Sequence, residues 1–235
     1  MLLPQLPKEV RSPKLIKYGS DSQVAWMLLE KIEGEKFINV WPHLSIPEQI
    51  HVIGELAEIL KSLHGTTAEV KNNPNRASIR SIKLDDLKIV ISQLKQNPVL
   101  DSGLIRQAQN FVENSENITS AVVPHGLIHG DLHFENVLWN KGRVSALLDF
   151  EYATTGPIDL ELDMIFRFCA HPYLFVPDGM EDMAKPEMYQ GVPQLLKEKY
   201  PQMFELPHGI ERATFYSIVF ELCALAKNPP STMEG

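Results

Sequence analysis

Apolar residues recur at helical spacing over residues 47–64, where Ile50, Ile53, Leu56, Ile59, Leu60 and Leu63 follow a 3.6-residue period that stops at Gly65. Ser45-Ile46-Pro47-Glu48 precedes them. A capping serine, a glutamate three residues on and a proline in the first turn together predict a helix start. The same period returns over 84–94 and 103–113, with Asn73-Asn-Pro-Asn and Asn97-Pro98 as breakers. It returns again after Pro157, at about 159–169, 185–199 and 209–227. Strand-like pattern is scarcer. Two short apolar runs, 14–18 and 24–32, flank the turn-forming Gly19-Ser20-Asp21-Ser22 and predict a β-hairpin. Residues 126–139 mix short β-like runs with a polar loop, and Val144-Ser-Ala-Leu-Leu-Asp-Phe follows the Asn140-Lys-Gly142 turn as a buried strand. The chain therefore reads as α+β, with a little sheet at the front, a mostly helical remainder and no internal repeat.

Composition narrows the function classes. With 44% hydrophobic and 22% charged residues over 235 positions, the chain can bury a sizeable core and is neither disordered nor fibrous. Its formal charge of −8 and the lack of any basic cluster argue against a nucleic-acid partner. Cys169 and Cys223 lie in apolar helical stretches without C-x-x-C spacing, so neither a disulfide framework nor a structural zinc is expected. The opening Met1-Leu-Leu-Pro-Gln-Leu-Pro is too short and too proline-broken for a signal peptide, and no apolar run reaches the roughly 18–20 residues of a membrane span. A cytoplasmic protein without a membrane partner is expected.

Chemistry concentrates in His129-Gly-Asp131-Leu-His-Phe-Glu-Asn136, followed thirteen residues after Asn136 by Asp149 at the end of an apolar strand. Phosphoryl transfer passes through a loose, charge-spread transition state, so its sites need positioning and cation-assisted neutralisation more than covalent help. One carboxylate can orient an attacking hydroxyl, while an amide oxygen and a second carboxylate offer the hard oxygen ligands that Mg²⁺ prefers. Alone, Asp131 or Asn136 beside a turn reads as a cap or Asx-turn. In order, and followed by the strand to Asp149, the three outweigh that reading. Asp159, Glu161, Asp163, Asp178, Glu181 and Asp182 read as a solvated helix face, and Phe166, Phe168, Tyr173, Phe175, Met180 and Met183 as core packing. His133 stands between packing and a loop contact.

The order H-G-D-L-H-F-E-N, a turn, then L-D-F-E resembles the aminoglycoside phosphotransferase family of the protein-kinase-like superfamily. That resemblance implies a protein-kinase-like α+β fold, with residues 1–33 as a remnant of the N-terminal lobe and hinge and 34–235 as a helical C-terminal lobe holding the site. It implies Asp131 as the catalytic base or hydroxyl-positioning residue, His129 as a brace of the catalytic loop, and Asn136 and Asp149 as ligands of Mg²⁺. It also implies backbone contacts to the adenine of ATP or GTP from Glu30, Lys31 and Ile32. A small-molecule hydroxyl would be the acceptor, an aminoglycoside-like antibiotic or a metabolite. In Gly156-Pro-Ile-Asp-Leu-Glu-Leu-Asp163, Asp159 or Asp163 would steady the loop, and Leu60-Lys-Ser-Leu63-His64 is similar to the family's L-x-x-L-H helix ending.

Two other readings remain open at this stage. Gly130-Asp131-Leu132-His133 also matches the G-D-x-H opening of metallophosphoesterases, although the G-N-H-[ED] element they need later is missing from the sequence. A pseudokinase-like binding module is the non-enzymatic alternative. It draws on the front of the chain, where about twenty residues stand before the hinge while the family carries roughly fifty or more, including a phosphate-anchoring lysine and its paired glutamate. The expectation is a shortened N-terminal lobe, exposed sheet and weak nucleotide binding. Calorimetry of Mg-nucleotide binding, run beside a sizing column, checks this: weak binding by an aggregation-prone sample is expected, and tight binding by a monodisperse one would contradict it.

Overall fold

The structure is a computed structural model, which describes residues 2–21, 24–67 and 84–230. The Asn73-Asn-Pro-Asn breaker expected from the sequence lies outside the described residues. The chain clusters into two compact units, residues 1–71 with 124–205 and residues 72–123 with 206–235. The lobe boundary expected near residue 33 falls inside the first.

In the first unit, β1 (Leu15–Ser20) and β2 (Ala25–Leu29) form an antiparallel hairpin that is a sheet of its own. Its turn is closed by the Asp21 amide on the Val24 carbonyl at 3.0 Å and the Val24 amide on the Asp21 carboxylate at 2.8 Å. A side chain at Gly19 would run into the Trp26 ring, 2.7 Å from an added Cβ. Ile16, Tyr18, Trp26, Met27 and Leu28 are all exposed, so the hairpin lays neither face on the core.

Next come β3 (Glu35–Lys36), α1 (Phe37–Val40) and α2 (Ile46–His64). Helix α2 begins one residue earlier than the periodicity predicts. Its Glu48 carboxylate accepts from the Ser45 amide at 2.8 Å and hydroxyl at 2.5 Å, which is the expected cap. Val52, Ile53, Leu56, Ala57, Ile59, Leu60 and Leu63 face the core, while Ile50 turns outward. The antiparallel β4 (His125–Ile128) passes against the end of this helix so closely that a Cβ on Gly126 would sit 2.0 Å from the His64 carbonyl oxygen. Only glycine allows that approach.

Strands β5 (Val137–Asn140) and β6 (Arg143–Leu147) make a tight hairpin whose turn residues, Lys141 and Gly142, both have positive φ, 49° and 83°. β3 adds to β5, giving the antiparallel order β3-β5-β6. The outer edge of β6 is held by other partners: the Leu147 amide donates to the Arg11 carbonyl at 2.9 Å and the Val144 amide to Glu55 of α2 at 2.9 Å. β7 (Thr154–Pro157) pairs with β4, and α6 (Glu161–Ala170), α7 (Pro186–Tyr189) and α8 (Val192–Lys199) complete the unit. The single helix expected over 185–199 is broken at Gly191, since Pro193 could not continue α7 without clashing with a carbonyl one turn back. Phe37, Trp41, Phe134, Phe168 and Tyr189 form an aromatic layer, with ring centroids 4.7 Å apart for Phe37–Phe134 and 4.9 Å for Phe134–Phe168. Trp41 donates to the Met188 carbonyl at 2.8 Å.

The second unit is helical: α3 (Leu84–Leu94), α4 (Ser102–Glu113), α5 (Glu116–Thr119) and α9 (Gly209–Lys227). Leu87, Ile91, Leu94, Ile105, Val112, Phe215, Val219 and Leu222 make its core, and the buried Arg212 donates to the Ile118 carbonyl at 3.0 Å. Both cysteines are buried free thiols, and burial pushes Cys169 up to about 12. Among the described residues no helix is long and apolar enough to cross a membrane.

Two glycines give a paired test of this packing. Gly126→Ala is expected to destabilise the protein well beyond the ~1–3 kcal/mol of ordinary overpacking, because the obstacle is backbone. Gly54→Ala in the middle of α2, where an added Cβ meets nothing within 4 Å, is expected to stabilise by about 0.5–1 kcal/mol. Urea unfolding of both variants measures the difference.

Candidate active site

The site is assembled on the loop that leaves β4. Leu127 and Ile128 are fully buried, and the chain then turns at His129 and at Gly130, whose φ is 80°. Both loop amides end on one carboxylate: the His129 amide donates to Glu161 Oε2 at 2.6 Å and the Gly130 amide to Glu161 Oε1 at 3.1 Å. Glu161 is completely buried at the start of α6. Burial pushes its carboxyl up, but the neighbouring His64 and the amide donated by His129 outweigh it and hold the group below its ordinary range.

His129 is also fully buried. Its Nε2 lies 2.7 Å from the Leu148 carbonyl, which can only accept, and its Nδ1 takes the Asp131 amide at 3.3 Å, which can only donate. The ring is therefore the neutral tautomer with the proton on Nε2, in keeping with burial, which lowers its basicity against the opposing charge of Glu161. Its face packs on Phe150, 4.6 Å between centroids. With both nitrogens spent on backbone, His129 holds the loop and has no free atom for a substrate.

Asp131 is half-buried. The Asn136 side-chain nitrogen donates to the Asp131 carbonyl at 3.0 Å and to its Oδ2 at 3.3 Å, so these two predicted site residues meet directly. His133 Nε2 stands 3.1 Å from that same nitrogen and 3.6 Å from Asp131 Oδ2, with its ring 4.6 Å from Phe175. Packing and loop contact, which the sequence left as alternatives for His133, are both present.

Asp149 reaches the loop through its neighbour. The Leu148 amide donates to the Asn136 carbonyl at 2.8 Å while the Leu148 carbonyl accepts from His129, so the residue before Asp149 is clamped at both ends. Asp149 itself is left-handed, with φ 56° and ψ 67°, a conformation that costs a non-glycine residue energy. Its carboxylate is exposed and accepts from its own Glu151 amide at 3.3 Å. Among the described residues no three His, Cys, Asp or Glu side chains gather as a metal site. The donor set still suits Mg²⁺, which settles for one or two carboxylates and completes its shell with water and phosphate oxygens. Asn136 has committed its nitrogen to the loop, which leaves its Oδ1, with the Asp149 carboxylate, as the hard oxygens on offer.

The predicted hinge, Glu30, Lys31 and Ile32, is an irregular stretch between β2 and β3. The Glu30 amide is already donated to the Lys14 carbonyl at 2.8 Å, and Lys31 pairs with Glu33 at 3.2 Å on the surface. The segment connects onward to the loop, because Lys36 in β3 is ion-paired with Glu135, the neighbour of Asn136.

Sequence reasoning missed Glu161. It looked to Asp159 or Asp163, yet the carboxylate on the loop is the one between them, and Asp163 pairs with Arg167 at 3.3 Å instead. The available signal was an acid set among Leu160, Leu162, Met164 and Ile165 in a helix's first turn, which is costly unless donors await it. The solvated-face reading fails for Asp159, Glu161 and Asp163, all buried, and holds for the exposed Asp178, Glu181 and Asp182. Among the aromatic residues taken as core, Phe168 is buried while Tyr173 is exposed.

Known proteins resemble this chain in sequence and in fold. A curated homoserine kinase from Parvibaculum lavamentivorans is 27% identical over 109 residues, covering 46% of this chain and 33% of that protein, so the match spans about a third of the relative's length. Among solved structures, the GDP complex of aminoglycoside 2'-phosphotransferase-IIIa superposes with a TM-score of 0.67 at 16% identity, over 96% of this chain and 72% of the other. Aminoglycoside phosphotransferase APH(4)-Ia gives 0.62 at 16%, over 95% and 71%, and the streptomycin-ATP-APH(2")-IIa complex 0.59 at 18%, over 90% and 66%. These likenesses fix the fold as the kinase-like one of the aminoglycoside phosphotransferases. The pattern described as the Phosphotransferase enzyme family matches residues 2–176, and the chain belongs to that family.

Proposed function

We propose that this chain is a kinase for a small molecule, moving the γ-phosphate of ATP or GTP onto a hydroxyl. The observation that carries the reading is the loop itself: Asp131 and Asn136 in direct contact, with Asp149 one residue beyond a leucine tied to both Asn136 and His129. Family membership and the nucleotide complexes among the solved relatives support it further.

In this reading Asp131, half-exposed and partnered by Asn136, orients the acceptor hydroxyl and takes up its proton as the new oxygen–phosphorus bond forms and the bond from the γ-phosphorus to the departing nucleoside diphosphate breaks. Asn136 and Asp149 would hold Mg²⁺, which supplies charge neutralisation at the phosphates when bound. His129 and Glu161 act as positioning residues through backbone bonds. Glu30, Lys31 and Ile32 border the nucleotide, with the remaining backbone groups of the hinge as donors and acceptors because the Glu30 amide is already taken. The acceptor class is an aminoglycoside-like antibiotic or a hydroxylated metabolite, the latter in line with the homoserine kinase relative.

A nucleotide-binding module without turnover is the second reading. It is favoured by the β1–β2 hairpin, exposed on both faces, whose residues supply no contact to the loop among the described bonds.

Nucleotide consumption measured over a panel of aminoglycosides, amino alcohols and sugars separates the two. An acceptor-dependent rate is expected, and Asp131→Ala should lower kcat by about 10²–10⁴-fold with the nucleotide KM little changed. Binding without any acceptor-dependent rate would leave the module.

Glu161→Gln tests the brace. The amide presents an N–H to a loop amide in place of an acceptor, and a loss of about 3 kcal/mol at neutral pH is expected, with a large fall in kcat. Because the folded Glu161 carboxyl lies below its ordinary range, its stabilising contribution is present above that range and is lost as pH falls through the folded value. Thermal unfolding against pH should therefore show a shallower acid limb in the variant than in the wild type.

A further inference from the structure

The segment that leaves the predicted hinge is joined by side chains, as well as by sheet, to the turn that carries Asn136. Lys36, the last residue of β3, forms an ion pair with Glu135, which stands between Phe134 and Asn136 in one 3-10 turn. Their chain neighbours touch as well, Phe37 packing on Phe134 with 4.7 Å between ring centroids. Just upstream, the Asn140 side chain donates to the Glu33 carbonyl at 3.2 Å, and a Cβ added at Gly34 would stand 3.0 Å from the Trp139 carbonyl oxygen. The stretch 33–37 is thus fixed to the β5–β6 hairpin. That hairpin starts at Val137, next to Asn136, and ends at Leu147, just before Leu148 and Asp149.

The two contacts divide the work. The Phe37–Phe134 contact is buried and apolar, so it sets how near the segments stand but leaves the polar side of the turn unheld. Lys36 and Glu135 hold that side. The Glu135 side chain is only 14% exposed, and its one bonded partner among the described residues is Lys36, whose ammonium reaches it from the rim. A fully exposed ion pair contributes little, because water screens it and two long side chains lose freedom. Here the acid is mostly withdrawn from water, and a carboxylate in that position without its cation is driven back toward solvent. Moving Glu135 moves Asn136. The two share a turn closed by the Asn136 amide on the His133 carbonyl at 2.9 Å.

We propose that Lys36 and Glu135 are positioning residues, a charged clamp that ties the segment bordering the nucleotide to the turn presenting Asn136 Oδ1. The proposal rests on the readings of Asn136 as a magnesium ligand and of Glu30, Lys31 and Ile32 as the nucleotide border. It makes the seats of the two interdependent. A nucleotide against residues 30–32 draws on the same short stretch of backbone, ending at Lys36, that holds the Asn136 turn in place.

The test uses the full chain. Lys36→Met keeps the stem and removes the charge, Lys36→Arg keeps the charge, and Lys88→Met breaks an exposed pair in α3 of the second unit, Lys88 with Asp85 at 2.9 Å. In substrate-free protein, hydrogen exchange of the Asn136 amide should quicken about fivefold in Lys36→Met and keep the wild-type rate in the other two. The Mg²⁺ concentration for half-maximal rate and the nucleotide KM should each rise about fivefold in Lys36→Met, with kcat at saturation changed less than about twofold. Lys36→Arg should restore both. Glu135→Gln should add no further loss in the Lys36→Met background. An Asn136 amide as slow in Lys36→Met as in Lys88→Met, or losses that add in the double variant, would overturn the clamp. If the wild type transfers no phosphate at all, the functional reading fails, while the substrate-free amide signal still decides the clamp.

Discussion

The buried carboxylate of Glu161 receives the backbone of the loop that leaves β4. Glu161 has lost all contact with water, a loss of several kcal/mol for an isolated ion, and only the donors that converge on it make its ionised form tolerable. Two of those donors are consecutive loop amides, His129 and Gly130. Hydrogen bonds to a charged acceptor contribute about 1.5–3 kcal/mol each, so releasing either amide would leave charge stranded in the interior. The loop therefore has little freedom to drift, and Asp131, one residue further, inherits that constraint.

The rest of the site hangs from the same support. His129, held at its amide by Glu161, uses one ring nitrogen on the Asp131 amide and the other on the Leu148 carbonyl, joining the loop to the end of β6. Leu148 returns a bond to Asn136, and Asn136 returns one to Asp131. The circuit closes through backbone groups. Asp131 and Asp149 thus need not be partners of one another, and Asp149 is left exposed at the rim. Beneath the loop, Phe134 is locked between Phe37 and Phe168, so the 3-10 turn carrying Asn136 sits on aromatic packing rather than on solvent-facing chain.

The front of the chain is built differently. The β1–β2 hairpin satisfies its own hydrogen bonds but buries little of its apolar surface, whereas β3, two residues long, is absorbed into the β5–β6 sheet and tied to the loop by Lys36 and Glu135. The hairpin therefore stands between two anchored points, the buried Val10 with the Arg11 carbonyl that accepts from Leu147 before it, and β3 after it.

Much of this was legible in the residues. The helices over 47–64, 84–94 and 209–227 followed from apolar period and caps, the Asn140-Lys-Gly142 turn from residues that accept positive φ, and the Asp131–Asn136 meeting from spacing within one loop. All of these are local, settled within a few residues by sterics and hydrogen-bond reach. The choice of Glu161 over Asp159 and Asp163 was not local: it depends on which carboxylate the packing of α6 turns toward amides 31 and 32 residues away in the chain. The break at Gly191, the exposure of the hairpin and the orphaned nitrogen of His64 are of the same kind. The sequence by itself determined the elements and the candidate set of Asp131, Asn136 and Asp149. Only the tertiary structure decided which buried charge would hold them, because the cost of burying a charge depends on donors that the fold brings from elsewhere.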